Sequence, residues 1–329
     1  MWGVDRTRPE LLRALLYHRV DWRPRTDSPL NPDLITTTPD IFERQLRHLT
    51  QHYHPIHARE LIAALEGRCA LPTRAVLVTF DDGYRDFLDV AWPLLRAFHV
   101  PAVVFVSTAF ADSPTRLFWW DAVWQMITRT RRNVIQLGGH KLAELNGSRG
   151  RVAACNRVVD WLKTLNPDER TANLAALADE LGVQVEPSRA LLSWADLRLL
   201  AAEGVTIAAH GRTHELLDQL ASDRLVPEVD GARDDLVREV GVCAPLFSYP
   251  NGNFNAATVR AVARAGFDVG FTASHGINRL GVDDPRLLRR DPGGPSLLRL
   301  AVSLLGPVAA IRVRRNPLPA RAPTVEAGV

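Results

Sequence analysis

Residues 75–80, Ala-Val-Leu-Val-Thr-Phe, form an apolar run of strand length that is rich in β-branched residues. A run of this kind is typical of a strand that is covered on both faces, as in the parallel sheets of α/β proteins. A helical pattern at 88–98 follows it, and a second apolar run occupies 101–106. Strand, helix and strand at this spacing predict a βαβ unit with parallel pairing.

The same alternation of apolar runs and amphipathic segments continues toward both ends of the chain. Ser193 begins a helical pattern in which Asp196 stands where a carboxylate closes a capping box. Counting these units, we expect about seven strands, which is typical of a barrel. Besides the two runs above, strands are predicted near Tyr17, Ile56 and Leu287 and at 205–209, 246–249 and 267–273. The predicted fold class is therefore α/β, a distorted (β/α) barrel.

One long stretch interrupts the alternation. Residues from about 112 to 192 are helical in pattern and include Trp119-Trp120-Asp121. We therefore predict one domain over 1–315 with a helical insertion around 112–192. The Pro- and Ala-rich residues 316–329 are predicted to be a disordered tail.

Composition excludes several classes of function. The net charge is +3, and arginine supplies all basic residues except Lys141 and Lys163, scattered among acids rather than gathered on one face. We therefore expect no nucleic-acid partner.

The three cysteines are isolated, which predicts neither a disulfide framework nor a thiolate metal site. With no secretory signal pattern and no uninterrupted apolar span, we expect a cytoplasmic protein without stable membrane insertion, although peripheral contact with a membrane stays open.

Two adjacent carboxylates, Asp81 and Asp82, follow the strand at 75–80 directly. The carboxyl ends of strands are where α/β proteins usually carry their chemistry. Neighbouring carboxylates repel each other unless a cation or a shared proton lies between them. A solvated Asp-Asp-Gly turn is the competing interpretation.

Two histidines, His210 and His214, follow another predicted strand at a spacing of four residues. In a helix or tight turn this spacing directs both imidazoles at one point. Zinc sites are commonly built from two such histidines and one carboxylate. A zinc protease needs Glu directly after the first His, but Gly211 stands there, so that class is excluded.

Together these residues resemble the successive motifs of the polysaccharide deacetylases, carbohydrate esterase family four. The likeness is carried by Thr79-Phe-Asp-Asp-Gly83, by His210-x-x-x-His214 and by Phe247-Ser-Tyr-Pro-Asn-Gly252, and extends over roughly 17–292. A further set of short motifs resembles the branch found with bacterial exopolysaccharide synthesis: Tyr17-His18-Arg19-Val20, Trp119-Trp120-Asp121, Leu192-Ser-Trp194 and Gly276-Ile-Asn278.

The resemblance implies a metal-dependent deacetylation site. Asp82, His210 and His214 would bind one divalent ion, with zinc expected, and Asp81 would take the proton of the attacking water. In the exopolysaccharide branch, a histidine like His18 donates a proton to the departing amine; a strand-end core histidine is the alternative. The tetrahedral oxyanion would be stabilised by the metal and by a backbone N–H within the substrate-binding stretch Tyr249, Pro250 and Asn251.

The sequence also departs from the family pattern. Gly211 stands where Ser or Thr is usual, and Asn251 where Tyr is frequent. Many members carry an arginine in the third motif that pairs with the base, but this chain has Ser248 there. Arg290 aligns with a family arginine and could reach Asp81, whereas an ordinary surface salt bridge is the other interpretation. Trp119 and Trp120 could stack on a sugar ring, with Trp119 as the candidate substrate-binding residue, although aromatic pairs in helical insertions more often belong to the core.

The sequence therefore predicts a hydrolase that removes N-acetyl groups from N-acetylhexosamine units of a glycan or glycan precursor. Three alternatives stay open: an O-acetyl esterase, a cyclic-imide hydrolase on the same scaffold, and a degenerate deacetylase that acts as a carbohydrate-binding module. The identity of the glycan and the oligomeric state are left undetermined by the sequence.

Overall fold

The computed structural model describes residues 10–22, 28–137, 140–305, 313 and 318. Within these residues the chain forms thirteen strands, β1 to β13: Leu11–Tyr17, Arg19–Val20, Ile35–Thr37, His54–Pro55, Ala75–Phe80, Ala102–Val106, Val134–Leu137, His140–Glu144, Thr206–Ala209, Leu246–Ser248, Val269–Phe271, Asn278–Arg279 and Asp291–Pro292.

The same described part of the chain contains eleven α-helices, most of which lie between strands. They are numbered α1 to α11: Pro39–His52, Ala58–Leu65, Trp92–Ala97, Thr108–Ala111, Trp119–Arg129, Gly147–Lys163, Pro167–Leu181, Trp194–Ala202, Ser222–Val240, Ala256–Arg264 and Leu297–Ser303. One π-helical turn, Phe87–Ala91, precedes α3. The predicted capping box forms at the start of α8, where Ser193 and Asp196 cap each other.

A curled sheet organises the fold, with the strand order β11-β10-β9-β6-β5-β1-β12. All neighbours in this order pair in parallel except β12, which runs antiparallel to β1. All six residues of β5 are buried. Alternate side chains of a strand point to opposite faces, so Val76, Val78 and Phe80 enter one core, while Ala75 and Leu77 enter another. The predicted α/β class with about seven strands in a barrel-like sheet is confirmed.

The pairing register brings the carboxyl ends of the central strands to one edge. Tyr17 lies opposite Phe80, and Val106 lies opposite Ala209. The residues that follow these strands, including Asp81 and His210, therefore share that edge of the sheet. This is the edge at which α/β proteins usually place their sites.

A segment from Leu287 to Pro292 spans the gap between the two sides of the curled sheet. At one end Leu288 pairs with β11 through hydrogen bonds to Gly270 and Thr272. At the other end β13 pairs in parallel with β1. Arg290 lies between these two contacts, so the segment that spans the sheet also carries this arginine to the site edge.

The insertion between β6 and β9 has a hydrophobic core of its own, built mainly from α5, α6 and α7. It is not purely helical, because β7 and β8 form an antiparallel hairpin. This hairpin was not predicted, because strands of four and five residues carry little periodic signal beside long helices. Two residues from outside the insertion, Leu30 and Tyr84, join its core.

Among the residues that the structure describes, none of the helices has the length and apolar character needed to cross a membrane. The predicted disordered tail, 316–329, lies outside the described residues apart from Leu318.

Candidate metal centre and catalytic site

Asp82 enters the site through an unusual backbone turn. It has φ 74° and is followed by Gly83 with φ 76°, so two consecutive residues are left-handed, with one residue between them and the end of β5. Glycine adopts this conformation freely, whereas aspartate does so at an energetic cost. Strain of this kind persists where the surrounding structure requires it and is concentrated at functional sites.

The two histidines lie in a loop after β9 rather than in a helix. His214 is itself left-handed, with φ 59°, and so is Gly211, with φ 73°. Glu228 of α9 binds this loop through two hydrogen bonds. Its Oε1 accepts the Thr213 N–H at 2.5 Å, and its Oε2 accepts the Thr213 hydroxyl at 3.0 Å. A Cβ at position 211 would lie 3.0 Å from Glu228 Oε1, which explains why glycine fits there. Sequence reasoning did not identify Glu228, because no motif marks it.

Asp82, His210 and His214 converge on one point. Each is buried and offers a ligand atom, and these atoms all lie within 4.8 Å of one another. The Nε2 atoms of His210 and His214 lie 3.4 Å and 3.2 Å from Asp82 Oδ1. The structure therefore brings together the three residues that the resemblance implies as a metal-binding set.

The tautomer of His210 indicates what this point can hold. Its Nδ1 lies 2.7 Å from the Ser248 carbonyl oxygen, which can only accept, so Nδ1 carries the proton. In the neutral ring, Nε2 then turns a lone pair toward Asp82. Asp82 Oδ1 is buried and has no hydrogen-bond partner among the described residues. A buried carboxylate oxygen facing ring nitrogens fits a divalent cation, and two nitrogens with one oxygen suit zinc.

The electrostatics of these three residues follow from burial and from their mutual contacts. Burial would raise the pKa of Asp82, but the imidazoles of His210 and His214 outweigh it and hold that pKa well below its usual range. Burial lowers the pKa of both histidines. For His210 the charges of Asp81 and Asp82 outweigh burial and raise the pKa. For His214 burial remains the larger effect, so its pKa is lowered. Asp82 is therefore ionised at neutral pH.

Asp81 lies beside this set and is paired with Arg290. Two hydrogen bonds of 2.7 Å join Nη1 and Nη2 of Arg290 to Oδ1 and Oδ2 of Asp81. The Ser248 hydroxyl adds a third, at 3.0 Å. Arg290 is only 1% exposed, so this is a buried bidentate pair rather than a surface salt bridge. Burial would raise the pKa of Asp81, but the guanidinium outweighs it and lowers that pKa below its ordinary value.

His18 follows β1 at the same edge of the sheet. Its backbone N–H donates to the Thr36 hydroxyl at 3.0 Å, and the residue is half-buried. A positive charge on its ring would help to lower the pKa of both Asp81 and Asp82. The structure therefore places His18 near the two carboxylates.

The stretch Tyr249, Pro250 and Asn251 divides into core and surface. Tyr249 is fully buried, its ring packs 5.5 Å from that of Phe247, and its N–H donates to the Phe271 carbonyl. Its side chain therefore lies in the core of the protein, and the substrate-binding role predicted for it stays a prediction. Pro250 is buried and has no N–H. Asn251 has an N–H and is an exposed left-handed residue with φ 56°.

The adjacent tryptophans of the insertion have different surroundings. Trp119 is half-buried, and the Arg170 guanidinium lies 5.6 Å from its ring centroid. Trp120 is buried, and its ring centroid lies 4.6 Å from that of His214. The sequence suggested sugar stacking for both tryptophans but did not predict the contact between Trp120 and His214, because the helical phase that separates the two faces is set by the packing of α5.

Comparison with known protein families supports the sequence resemblance. Residues 69–146 and 149–270 match the family model described as "Polysaccharide deacetylase". A curated relative, the poly-beta-1,6-N-acetyl-D-glucosamine N-deacetylase of Escherichia coli (strain K12), is 26% identical over 133 residues. That alignment covers 37% of this chain and 20% of the relative, so the chain spans about a fifth of that protein.

Solved structures with a similar fold cover most of the chain. The deacetylase PplD of Streptococcus pyogenes, in complex with acetate, gives a TM-score of 0.61 at 18% identity, over 90% of this chain and 99% of that one. IcaB from Ammonifex degensii gives 0.58 at 20% identity, over 90% and 98% of the two chains. At these identities the likeness bears on the fold alone.

Proposed function

Because the chain belongs to the polysaccharide deacetylase family, a family of hydrolases that act on the amide bonds of N-acetyl groups, we propose that it is a metal-dependent N-deacetylase of a glycan. The family match spans the Asp81-Asp82 pair and the two histidines. His18 and Arg290 lie outside it, so their proposed roles depend on their positions in the structure. The observation that carries the proposal is the buried Asp82 Oδ1 facing two imidazole nitrogens.

Asp82, His210 and His214 are the proposed ligands, and zinc is the proposed ion. When bound, such an ion polarises the amide carbonyl and lowers the pKa of a coordinated water to about 7. The carbonyl of Ser248 supports this assignment, since it fixes the tautomer of His210 and leaves Nε2 free as a donor atom.

Asp81 is the proposed general base. Its carboxylate takes a proton from the attacking water, and the Arg290 guanidinium keeps it ionised beforehand and fixes its orientation. The bidentate contact leaves little rotational freedom to the carboxylate, which is the preorganisation that proton transfer requires. Ser248 supplies the further hydrogen bond that the carboxylate accepts.

His18 and Asn251 are proposed to act on the two ends of the scissile amide. The Asn251 N–H donates to the carbonyl oxygen as it gains negative charge. His18 gives a proton to the departing nitrogen, so that the C–N bond breaks to yield acetate and an amine. Trp119, half-buried beside Arg170, is the proposed stacking surface for a sugar ring.

We take N-acetylhexosamine units as the substrate class. The curated relative is named for poly-beta-1,6-N-acetyl-D-glucosamine, so oligomers of that polymer are the first substrates to test. The cytoplasmic location and the absence of a nucleic-acid partner stay predictions from the sequence.

The direct test is acetate release from N-acetylglucosamine oligomers by the zinc-loaded protein, with free amine measured in parallel. We expect equal amounts of both products, abolished by a chelator and by Asp81→Asn. Acetate release from O-acetylated sugars without amine would identify an esterase, and imide turnover would identify a cyclic-imide hydrolase. Binding of the oligomers with no product and no metal would favour a carbohydrate-binding module and contradict the proposal.

A further inference from the structure

The two candidate histidine ligands differ in what holds their rings. Metal-binding histidines usually donate their second ring nitrogen to an oxygen, which fixes the ring orientation. His210 does so, with Nδ1 at 2.7 Å from the Ser248 carbonyl. His214 does not: its Nδ1 is buried and has no hydrogen-bond partner among the described residues. Some other contact must therefore orient the His214 ring.

Aromatic side chains of the insertion contact that ring. The centroid of Trp120 lies 4.6 Å from that of His214 with an interplanar angle of 67°, and Phe118 lies at 5.4 Å and 65°. Both are edge-to-face contacts, a favoured geometry for aromatic rings. Phe118 and Trp120 stack on each other at 4.5 Å and 11°, so they form one rigid wall against His214.

The orientation of Trp120 is fixed by a chain of buried hydrogen bonds. Its Nε1–H donates to the Tyr84 hydroxyl at 2.9 Å, and that hydroxyl donates to Asp121 Oδ2 at 2.7 Å. An indole N–H only donates, so Trp120 must donate to Tyr84, and the single hydroxyl proton of Tyr84 is then given to the Asp121 carboxylate when that group is ionised. Asp121 Oδ1 accepts the Asn31 N–H at 2.7 Å, so both carboxylate oxygens are occupied.

We propose that Trp120 is a positioning residue for the ligand His214, and that Tyr84 and Asp121 hold Trp120 in the required orientation. The inference rests on the proposed function, because it takes His214 as a ligand of the ion. Tyr84 follows the ligand Asp82 by two residues. The hydrogen bonds through Tyr84 therefore connect the insertion both to the loop that carries Asp82 and to the loop that carries His214. The insertion thereby contributes to metal affinity without supplying a ligand.

The test compares zinc affinity in four purified proteins by competition with a chelating dye: wild type, Trp120→Leu, Tyr84→Phe and Trp161→Leu. Loss of a group that orients a metal ligand typically weakens binding about 10- to 100-fold. We expect a rise of that size in the zinc Kd of Trp120→Leu and a smaller rise, in the same direction, in Tyr84→Phe. Trp161 is half-buried against the same insertion core, so Trp161→Leu controls for a general loosening of the insertion and should leave the Kd unchanged.

A second readout separates positioning from stability. With cobalt(II) at saturation, the visible spectrum reports the ligand geometry, and we expect it to change in Trp120→Leu but not in Trp161→Leu. Wild-type Kd and spectrum in folded Trp120→Leu would overturn the inference, as would equal weakening by Trp161→Leu. Should Trp120→Leu fail to fold, Tyr84→Phe decides, because it removes one oxygen and keeps the ring; an unchanged Kd and spectrum there overturns the inference. Wild type that binds no zinc would instead overturn the proposed function, and this inference with it.

Discussion

Arg290 and Asp81 lie 209 residues apart in the chain, yet they meet through two hydrogen bonds of 2.7 Å in a buried pair. The segment that spans the gap in the curled sheet carries the arginine to this position. The guanidinium also donates to the hydroxyl oxygens of Thr79 and Ser248 and to the Thr272 carbonyl, so all three of its nitrogens form hydrogen bonds. This pair sets the charge state of the proposed base.

Replacing Arg290 should move the acid limb of the pH–activity profile. In Arg290→Gln the carboxyl of Asp81 stays buried but loses the cation that lowers its pKa. Its pKa should therefore rise, and the acid limb of kcat/KM should shift to higher pH by about 1 unit or more. Arg279→Gln, at a half-exposed arginine paired with Asp283, is the control and should keep the wild-type profile. Superimposable profiles for Arg290→Gln and wild type would contradict the role of this pair.

Replacing His18 should reduce turnover without loss of metal. A group that donates a proton in the transition state contributes typically 10²–10⁴-fold, so His18→Ala should lower kcat by about that factor. Zinc content should match wild type, because His18 is not among the three proposed ligands. His52→Ala removes an exposed histidine at the end of α1 and serves as the control. If His18→Ala loses zinc as well, the proton-donor assignment is wrong.

A side chain at position 211 should disturb the histidine loop. Gly211 and Gly182 are both left-handed, with φ 73° and 62°, so alanine should cost about 1–2 kcal/mol of backbone strain at either position. Only at 211 does the added Cβ lie 3.0 Å from Glu228 Oε1, whereas position 182 has no atom within 4 Å. We expect Gly211→Ala to be the more destabilised in chemical unfolding and to bind zinc more weakly. Equal effects of the two substitutions on stability and zinc affinity would contradict this account.

Asp121 should make stability fall as pH rises. Burial raises its pKa to about 7, although hydrogen bonds from Asn31 and Tyr84 act in the opposite direction. An unfolded aspartate has a pKa near 3.9, so between these values the folded protein holds a proton that the unfolded chain has released. Raising the pH from 5 to 7 should therefore remove about 2 kcal/mol of unfolding free energy that is attributable to this residue.

The measurement is urea unfolding of metal-free protein at pH 5, 6 and 7, comparing wild type with Asp121→Asn. The stability difference between them should change by about 2 kcal/mol in favour of Asp121→Asn as pH rises. Asp160→Asn, at an exposed aspartate of α6, should follow the wild-type slope. Parallel pH dependences for wild type and Asp121→Asn would refute the raised pKa.

Much of the fold could be read from the sequence because buried parallel strands have a strong local signature. The run 75–80 and its neighbours predicted the strands, and the register of a parallel sheet then required their carboxyl ends to share an edge. Asp82, His210 and His214 could therefore be expected together before any geometry was known. The β7–β8 hairpin was missed because its short strands resemble the surrounding helical segments in composition.

Other parts of the site depend on tertiary packing and leave no local signal. Trp119 and Trp120 are adjacent, and only the rotation of α5 against the rest of the insertion decides which one contacts His214. Tyr249 belongs to a motif, yet the direction of its ring is set by Phe247 and the core around it. Glu228 holds the histidine loop from a helix that no motif connects to it.

Metal content is the most direct test of the central claim, that distant parts of the chain form one divalent-ion site. Protein purified with zinc and dialysed should be analysed for metal per chain in wild type, Asp82→Asn, His210→Ala and His214→Ala, with Asp81→Asn as the matched neighbour. We predict about one zinc per chain in wild type and Asp81→Asn, and loss of zinc from the other three while they stay folded. Wild type without bound metal, or full zinc retention in all three ligand variants, would contradict the account.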